Sequence, residues 1–178
     1  MNIIDDAISL SLLSSIKNHI ESHTFPWYYI KTTANERNQG DELDYSFYHM
    51  AMEDGEMQSG CFDISNTIAL ILKDRFLMDE NWTVHRLRWG MLTGINQPWK
   101  NQPHTDMPDR HMVILFYLDD SDGDTYFYDK DHNIVDSISP KQNRAVLFDG
   151  ATIHSSSKPT KFGRRIALNI NYINLKEK

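Results

Sequence analysis

Apolar residues in the first eighty positions recur at the interval of a helix. One series predicts a helix within residues 1–24, and its members lie four positions apart: Ile8, Leu12, Ile16 and Ile20. We expect Asp5 or Asp6 to cap this helix, because a side-chain oxygen can accept from the first free backbone N–H groups. A second helix is predicted from Asp63, as its cap, to Phe76. The stretch between the helices predicts two strands, at 25–30 and 45–52, separated by a polar loop at 32–44.

After residue 81 the pattern changes to short strands. They are predicted about ten residues apart, at 82–91, 112–118, 125–129, 134–137, 145–148 and 165–173. Residues 94–102 are predicted to be a loop. This spacing is typical of a β-sandwich or a jelly roll, so we expect a mainly β protein with N-terminal helices. It forms one domain over 1–178, with a helical support (1–80) and a jelly-roll core (82–173).

Composition narrows the possible partners. The chain has 18 Lys and Arg against 25 Asp and Glu, a net charge of −7, which disfavours nucleic acid and anionic membranes. No apolar run approaches the ~20 residues of a membrane span, and the N-terminus shows no secretory signal pattern. The single cysteine, Cys61, excludes an intrachain disulfide. These features predict a cytoplasmic protein for which nucleic acid is the least favoured partner; they do not indicate its oligomeric state.

The candidate chemistry begins at Pro103-His104-Thr105-Asp106. On an extended segment, residues two positions apart project to the same side. One imidazole nitrogen and one carboxylate oxygen can therefore converge on a single ion. With a third ligand from a distant strand, for which His154 is the candidate, they make the two-histidine, one-carboxylate triad that binds non-heme Fe(II).

The order of motifs over residues 82–173 resembles the Fe(II)/2-oxoglutarate-dependent dioxygenases, in their prolyl 4-hydroxylase-like branch, which includes small phage and bacterial enzymes. The matching segments are Pro103–Asp106, Phe116–Asp119, Asp122–Phe127, Pro140–Phe148 leading to His154, and Gly163–Leu168. Asp122 departs from the family pattern, which has a first glycine in the Gly-Gly-Glu-Thr-x-Phe turn.

The resemblance implies a double-stranded β-helix, a cupin-like jelly roll, that uses Fe(II), 2-oxoglutarate and O₂. It implies hydroxylation of a C–H bond in an unidentified small-molecule or peptide substrate (a peptidyl proline, an amino acid or a small metabolite) with release of succinate and CO₂. His104, Asp106 and His154 are then the catalytic metal ligands. The resemblance assigns 2-oxoglutarate binding to three further residues, Arg165, Tyr117 and Thr125. For Tyr117 the alternative is a core aromatic residue with a hydrogen-bonded hydroxyl.

Arg164 competes with Arg165 for the distal carboxylate of 2-oxoglutarate. A guanidinium grips a carboxylate with two parallel hydrogen bonds. Strand alternation places Arg165 with small or polar residues, Ala167, Asn169 and Asn171. It places Arg164 with the apolar residues that should pack in the core. Both the alternation and the family pattern favour Arg165.

Two alternatives to the oxygenase stay open. One is a non-oxidative jelly-roll metalloenzyme with Zn or Mn in the same triad, which needs no Arg165. The other is a non-enzymatic ligand-binding jelly roll. Of the remaining polar residues, we expect His111 to face solvent at a strand start. Arg86 and Arg88 share a strand face, where a salt bridge is the expected role and contact with substrate or cofactor is the alternative. Trp99, Met107 and Arg110 flank the triad on loops, where substrate-selecting residues tend to lie.

Overall fold

A computed structural model describes residues 1–32 and 42–177. The described helices are α1 (Leu10–Ile20), α2 (Phe62–Arg75) and a 3₁₀ turn at Leu175–Glu177. The strands are β1 (Asn2–Ile4), β2 (Tyr28–Ile30), β3 (Ser46–Glu53), β4 (Glu56–Met57), β5 (Trp82–Thr93), β6 (Trp99–Lys100), β7 (His111–Tyr117), β8 (Thr125–Tyr128), β9 (Ile134–Ile138), β10 (Arg144–Asp149), β11 (His154–Lys158) and β12 (Arg164–Asn174). In the described part of the chain, no helix is both long and apolar enough to cross a membrane.

The strands form two antiparallel sheets. The larger sheet runs β1-β10-β7-β12-β5-β3-β2, with β4 paired to β3, and the smaller runs β6-β11-β8-β9. The predicted mainly β jelly roll with N-terminal helices is confirmed. Strands β1 to β4 come from the first eighty residues, so this segment extends the large sheet as well as supporting it.

Strand alternation gives the large sheet two different faces. On β12, one set of alternate residues packs with the helices in the main core: Ile166, Leu168, Ile170 and Tyr172. The other face of the large sheet meets the small sheet, where a second cluster joins Leu115 and Ala167 to Phe127 and Ile138. Because side chains alternate along a strand, Arg165, Asn169 and Asn171 share this inner face with Ala167. The inner face is where the candidate site lies.

The start of the chain differs from its prediction. Residues Asn2–Ile4 pair with β10 as an edge strand, and α1 begins only after Ser9, whose hydroxyl accepts from the backbone N–H of Leu12 at 3.3 Å. Asp5 and Asp6 are therefore not caps. The helical spacing of apolar residues was correct from Leu10 onward, but pairing with a strand 140 residues away overrides local propensity at residues 2–4.

Three smaller differences concern boundaries and polar strands. Helix α2 begins at Phe62 with Cys61 as its cap, so Asp63 lies in the first turn instead of capping it. Strand β6 lies inside the predicted loop 94–102. Strand β11, with sequence His-Ser-Ser-Ser-Lys, was not predicted because it has no apolar alternation. Most of the predicted loop 32–44 lies outside the described residues.

Candidate active site

Three side chains meet between the two sheets. His154 opens β11, and His104 forms an isolated bridge with it through two backbone hydrogen bonds of 2.9 Å. The Nε2 atoms of both histidines lie 4.0 Å from the carboxylate of Asp106. One ligand atom from each of the three residues lies within 4.8 Å of the others, a grouping that can hold a metal ion. The structure thus brings together the three residues that the sequence singled out.

Backbone carbonyls orient both imidazoles. His104 Nδ1 lies 3.0 Å from the carbonyl oxygen of Gln102, and His154 Nδ1 lies 3.0 Å from that of Thr152. A carbonyl can only accept, so each Nδ1 must carry the proton and each Nε2 keeps its lone pair toward the shared point. Burial lowers the pKa of His154, which favours this neutral form. This is the arrangement that a metal-binding histidine needs.

The carboxylate of Asp106 is held from the large sheet. Arg86 on β5 places Nη2 at 3.0 Å from Oδ1, while Asn171 on β12 donates to Oδ2 at 2.9 Å. Asn169 donates to Oδ2 at 3.0 Å, and Arg86 Nε donates to Asn171 at 2.8 Å. The salt bridge expected for Arg86 is present, although the sequence could not identify its partner. We call Arg86, Asn169 and Asn171 the Asp106 cradle.

The cradle keeps Asp106 ionised although its side chain is only 5% exposed. Burial, the largest single influence, raises the pKa of the carboxyl, and the charge of Arg86 is the largest of the influences that lower it. Together with His154 and the Asn169 hydrogen bond, Arg86 holds the pKa well below its usual range. An ionised carboxylate beside two imidazoles whose Nε2 atoms lie near it is a suitable ligand set for Fe(II).

Arg164 and Arg165 point to opposite sides of β12. Arg164 contacts Glu21 and Asp119 at the surface, with 41% of its side chain exposed. Arg165 is buried, and its Nη2 donates to the Thr125 hydroxyl at 2.8 Å. Its Nε has no hydrogen-bond partner among the described residues. Arg165 therefore brings an incompletely satisfied cation into the same cavity as the triad.

Tyr117 and Thr125 complete the surroundings of Arg165. Their hydroxyl oxygens are 2.8 Å apart, and the Arg165 guanidinium carbon lies 5.4 Å from the centre of the Tyr117 ring. Gly123 lets the neighbouring turn approach closely, because a Cβ there would lie 2.6 Å from the Ser157 carbonyl and 3.1 Å from Arg165 Cδ. The turn before β8 thus packs directly against the Arg165 side chain.

Asp122, which replaces the first glycine of the family pattern, has a structural role. Its carboxylate accepts from the Thr160 hydroxyl at 2.7 Å and from the backbone N–H of Lys161 at 3.0 Å. These bonds tie the turn before β8 to the connection between β11 and β12. A glycine at this position could not form them. The departure leaves the triad unchanged.

A cavity of about 110 Å³ joins these groups. Its lining residues come from both sheets, including β3 of the large sheet, and from the segment that carries His104 and Asp106. They are Ser46, Phe47, Arg88, Gly90, Leu92, His104, Asp106, Leu115, Thr125, His154, Ser156, Arg165, Ala167 and Asn169. The contribution of Ser46 and Phe47 was not predicted. Their segment carries no motif, and only the pairing of β3 with β5 brings them to the site.

Other candidates have structural roles or lie at the edge of the site. His111 is 1% exposed, so its expected exposure to solvent is wrong: its ring packs against Gly150, where any Cβ would collide with it. Trp99 donates to Asp44 at 3.0 Å. Met107 is half-buried and Arg110 is exposed in the segment after Asp106. Burial raises the pKa of the Cys61 thiol, which suits an unreactive side chain.

Comparison with known proteins agrees with this geometry. Residues 93–173 match the model of the 2OG-Fe(II) oxygenase superfamily. A comparison of the sequence with curated proteins finds no match. Among solved structures, the fold is similar to an oxidoreductase of the 2OG-Fe(II) oxygenase family from Burkholderia pseudomallei, with a TM-score of 0.71 and 14% identity over 97% of this chain and 85% of that one.

Two further structures share the fold. One is a prolyl hydroxylase from Trichoplax adhaerens, in complex with a hypoxia inducible factor oxygen degradation domain peptide fragment, with a TM-score of 0.65 and 18% identity over 99% of this chain and 84% of that one. The other is HygX from Streptomyces hygroscopicus with nickel, 2-oxoglutarate and hygromycin B bound, with a TM-score of 0.63 and 9% identity over 96% and 81%.

The matched segment contains His104, Asp106, His154 and Arg165, and the similar folds extend over nearly the whole chain. The match to the 2OG-Fe(II) oxygenase superfamily over residues 93–173, together with the grouping of His104, Asp106 and His154, indicates a 2-oxoglutarate-dependent oxygenase, an oxidoreductase whose cofactors are Fe(II), 2-oxoglutarate and O₂.

Proposed function

We propose that His104, Asp106 and His154 bind the Fe(II), and that the enzyme hydroxylates an amino acid, a peptide or another small metabolite. The observation that carries the proposal is the convergence of three ligand atoms within 4.8 Å, in the same cavity as the buried Arg165. Three protein ligands leave positions on an octahedral ion for a co-substrate and O₂.

Arg165 is the proposed partner of the distal carboxylate of 2-oxoglutarate. Its guanidinium is buried, has no carboxylate partner among the described residues, and is oriented by the Thr125 hydroxyl. The Tyr117 hydroxyl, bonded to Thr125, can support the same carboxylate. A non-oxidative metalloenzyme with this triad has no use for such a cation, so Arg165 favours the oxygenase over that alternative.

The protein residues position the reactants in this mechanism. Bound Fe(II) supplies O₂ activation coupled to oxidation of 2-oxoglutarate, with the balance 2-oxoglutarate + O₂ + R–H giving succinate + CO₂ + R–OH. The cradle holds Asp106 ionised, while the carbonyls of Gln102 and Thr152 hold a proton on each Nδ1, so that Nε2 is the nitrogen available as a ligand atom. Two similar folds carry a peptide and hygromycin B, so the scaffold accommodates both peptides and small molecules.

One assay tests this function. Succinate formation from 2-oxoglutarate is measured under O₂ with added Fe(II), in the wild type and in His104→Ala. We expect metal-dependent turnover or metal-dependent 2-oxoglutarate binding in the wild type and neither in the variant. Tight Fe(II) binding with no 2-oxoglutarate binding would indicate the non-oxidative metalloenzyme instead, and the absence of both would indicate a non-enzymatic binding protein.

The proposal extends to the organisation and location of the chain. We propose a single catalytic domain over 1–178, because β1, β2 and β3 belong to the same sheet as β12. A cytoplasmic location suits the single buried cysteine, Cys61. The acidic charge balance of −7 supports a substrate other than nucleic acid.

A further inference from the structure

A second arginine, half-buried, lines the cavity in addition to Arg165. Arg88 lies on β5, where it is paired in register with Asn169 of β12. The centre of the Tyr48 ring lies 4.9 Å from the Arg88 guanidinium carbon and fixes one face of the guanidinium. Arg88 therefore projects into the site from the wall that carries the Asp106 cradle.

Arg88 has no hydrogen bond or ion pair with any residue in the described ranges 1–32 and 42–177. Arg86, two positions earlier on the same strand face, is fully engaged with Asp106 and Asn171. Burial lowers the pKa of Arg88, and the like charge of Arg86 lowers it further. A guanidinium still remains charged at neutral pH. A guanidinium that lines the cavity without an acidic partner among the described residues is available to an anionic ligand.

The two carboxylates of 2-oxoglutarate are already assigned elsewhere. The distal one belongs to Arg165 in the proposed function, and the other would bind the metal that His104, Asp106 and His154 would hold. Asn169, the register partner of Arg88, lies four residues from Arg165 along β12, a separation of about 13 Å. Arg88 is thus a separate anion-binding position, displaced toward Asp106.

A hydrogen-bond acceptor lies beside Arg88. Asn169 uses Nδ2 to hold Asp106, while its Oδ1 is buried and has no partner among the described residues. An amide oxygen can only accept. Side chains at directly opposed positions of neighbouring antiparallel strands have Cβ atoms about 5 Å apart. A carboxylate on Arg88 would therefore place a donor on the adjacent carbon within reach of Asn169.

We propose that the substrate is an α-amino or α-hydroxy acid whose carboxylate binds Arg88 and whose neighbouring N–H or O–H donates to Asn169 Oδ1. This inference rests on the proposed function and specifies its substrate class. Arg88 and Asn169 then hold the acid end of the molecule near Asp106, which leaves the side chain of the substrate to present its C–H group to the metal.

The test uses the full chain loaded with Mn(II) and 2-oxoglutarate, so that binding is measured without turnover. The probes are the twenty free L-amino acids, L-lactate, L-malate and the matching amides. Thermal denaturation identifies binders, because a ligand of the native state raises Tm, and calorimetry then gives Kd. We expect at least one acid to bind and its amide to bind at least tenfold more weakly. The same acid should stimulate succinate formation when Fe(II) and O₂ are supplied.

Substitutions then test whether Arg88 and Asn169 bind the acid. Arg88→Gln should raise the Kd of that acid at least tenfold and change the Kd of 2-oxoglutarate less than twofold, while Arg88→Lys should recover part of the loss. Arg164→Gln, on the surface, is the matched control. Circular dichroism checks that each variant is folded, and Asn169→Ala provides a second variant expected to weaken binding of the acid.

Three results would overturn the inference. They are equal binding of acids and amides, no binding by any acid in the panel, and an Arg88→Gln variant that loses 2-oxoglutarate instead of the acid. Failure of the wild type to bind 2-oxoglutarate with metal would contradict the proposed function itself, and is measured before any acid is added.

Discussion

The arginines at the surface and those in the cavity have different partners. At the surface, Arg144 binds Asp5 through Nε at 2.7 Å and Nη2 at 3.1 Å, and Arg164 contacts two acidic side chains. In the cavity, neither Arg88 nor Arg165 has a carboxylate partner among the described residues. Each of these surface arginines has an acidic partner within the chain, whereas the described residues offer none to the two arginines of the cavity.

This difference separates charges that support the fold from charges that await a ligand. An exposed guanidinium costs little to leave unpaired, because water solvates it. A buried one costs several kcal/mol unless something compensates it. Asp106 is the one acidic residue among the described lining of the cavity, and the cradle and two histidines already surround it. The cavity thus carries an excess of positive charge in a chain whose net charge is −7.

The largest expected effect comes from removing a metal ligand in the cavity. His154→Ala removes an Nε2 that lies 4.0 Å from Asp106, and we expect Fe(II) affinity and succinate formation to fall by about a hundredfold or more, since even residues that only support ligands contribute 10–100-fold. Calorimetry with Fe(II) under anaerobic conditions measures the affinity. His19→Ala, at an exposed position of α1, is the control. Comparable losses in both variants would contradict the assignment.

Replacing each of the two neighbouring arginines in turn tests the comparison between cavity and surface directly. Arg165→Ala should weaken 2-oxoglutarate binding at least tenfold, about 1.4 kcal/mol, because a charge-assisted pair is lost. Arg164→Ala should leave this affinity unchanged, since its guanidinium lies at the surface with Glu21 and Asp119. Titration of the Mn(II)-loaded protein with 2-oxoglutarate gives both values. The reverse pattern would show that the surface arginine, not the buried one, binds the co-substrate.

A smaller effect is expected from loosening the cradle. Asn171→Ala removes the 2.9 Å hydrogen bond to Asp106 and the acceptor of Arg86 Nε. We expect metal affinity to fall about tenfold, the lower end of the range for residues that orient a ligand. Asn174→Ala, on the same strand but outside the cavity lining, is the control. An Asn171→Ala variant with unchanged metal affinity but lowered stability would reduce the cradle to a role in folding.

The smallest effect belongs to the surface pair at Asp5. Hydrogen bonds from Arg144 and then Lys141 hold the pKa of Asp5 below its usual range. A lowered pKa means that the pair stabilises the fold above the unfolded carboxyl pKa of about 3.9 and loses this contribution as pH falls through the folded pKa. Because 36% of the side chain is exposed, Asp5→Asn should cost less than about 1 kcal/mol at pH 7. Thermal denaturation should show this difference at pH 7 and a shrinking one below pH 4.

Alternation along β12 could be predicted because a long strand with one apolar face has a single register. Ile166, Leu168 and Ile170 pack against the helices, so Arg165 must face the other way. The first four residues and β11 could not be predicted in the same way. Asn2–Ile4 become a strand through pairing with β10, and the polar β11 is held by its neighbours β6 and β8.

The sequence by itself determined the metal-ligand candidates, the mainly β architecture and the side of β12 on which each arginine lies. These follow from residue type and from the two-residue period of a strand, which are local properties. Only the tertiary structure shows which side chains surround Asp106, that His111 is buried and that Arg88 has no acidic partner among the described residues. Those facts depend on which strands become neighbours, since hydrogen bonds and charge burial arise between residues far apart in the chain.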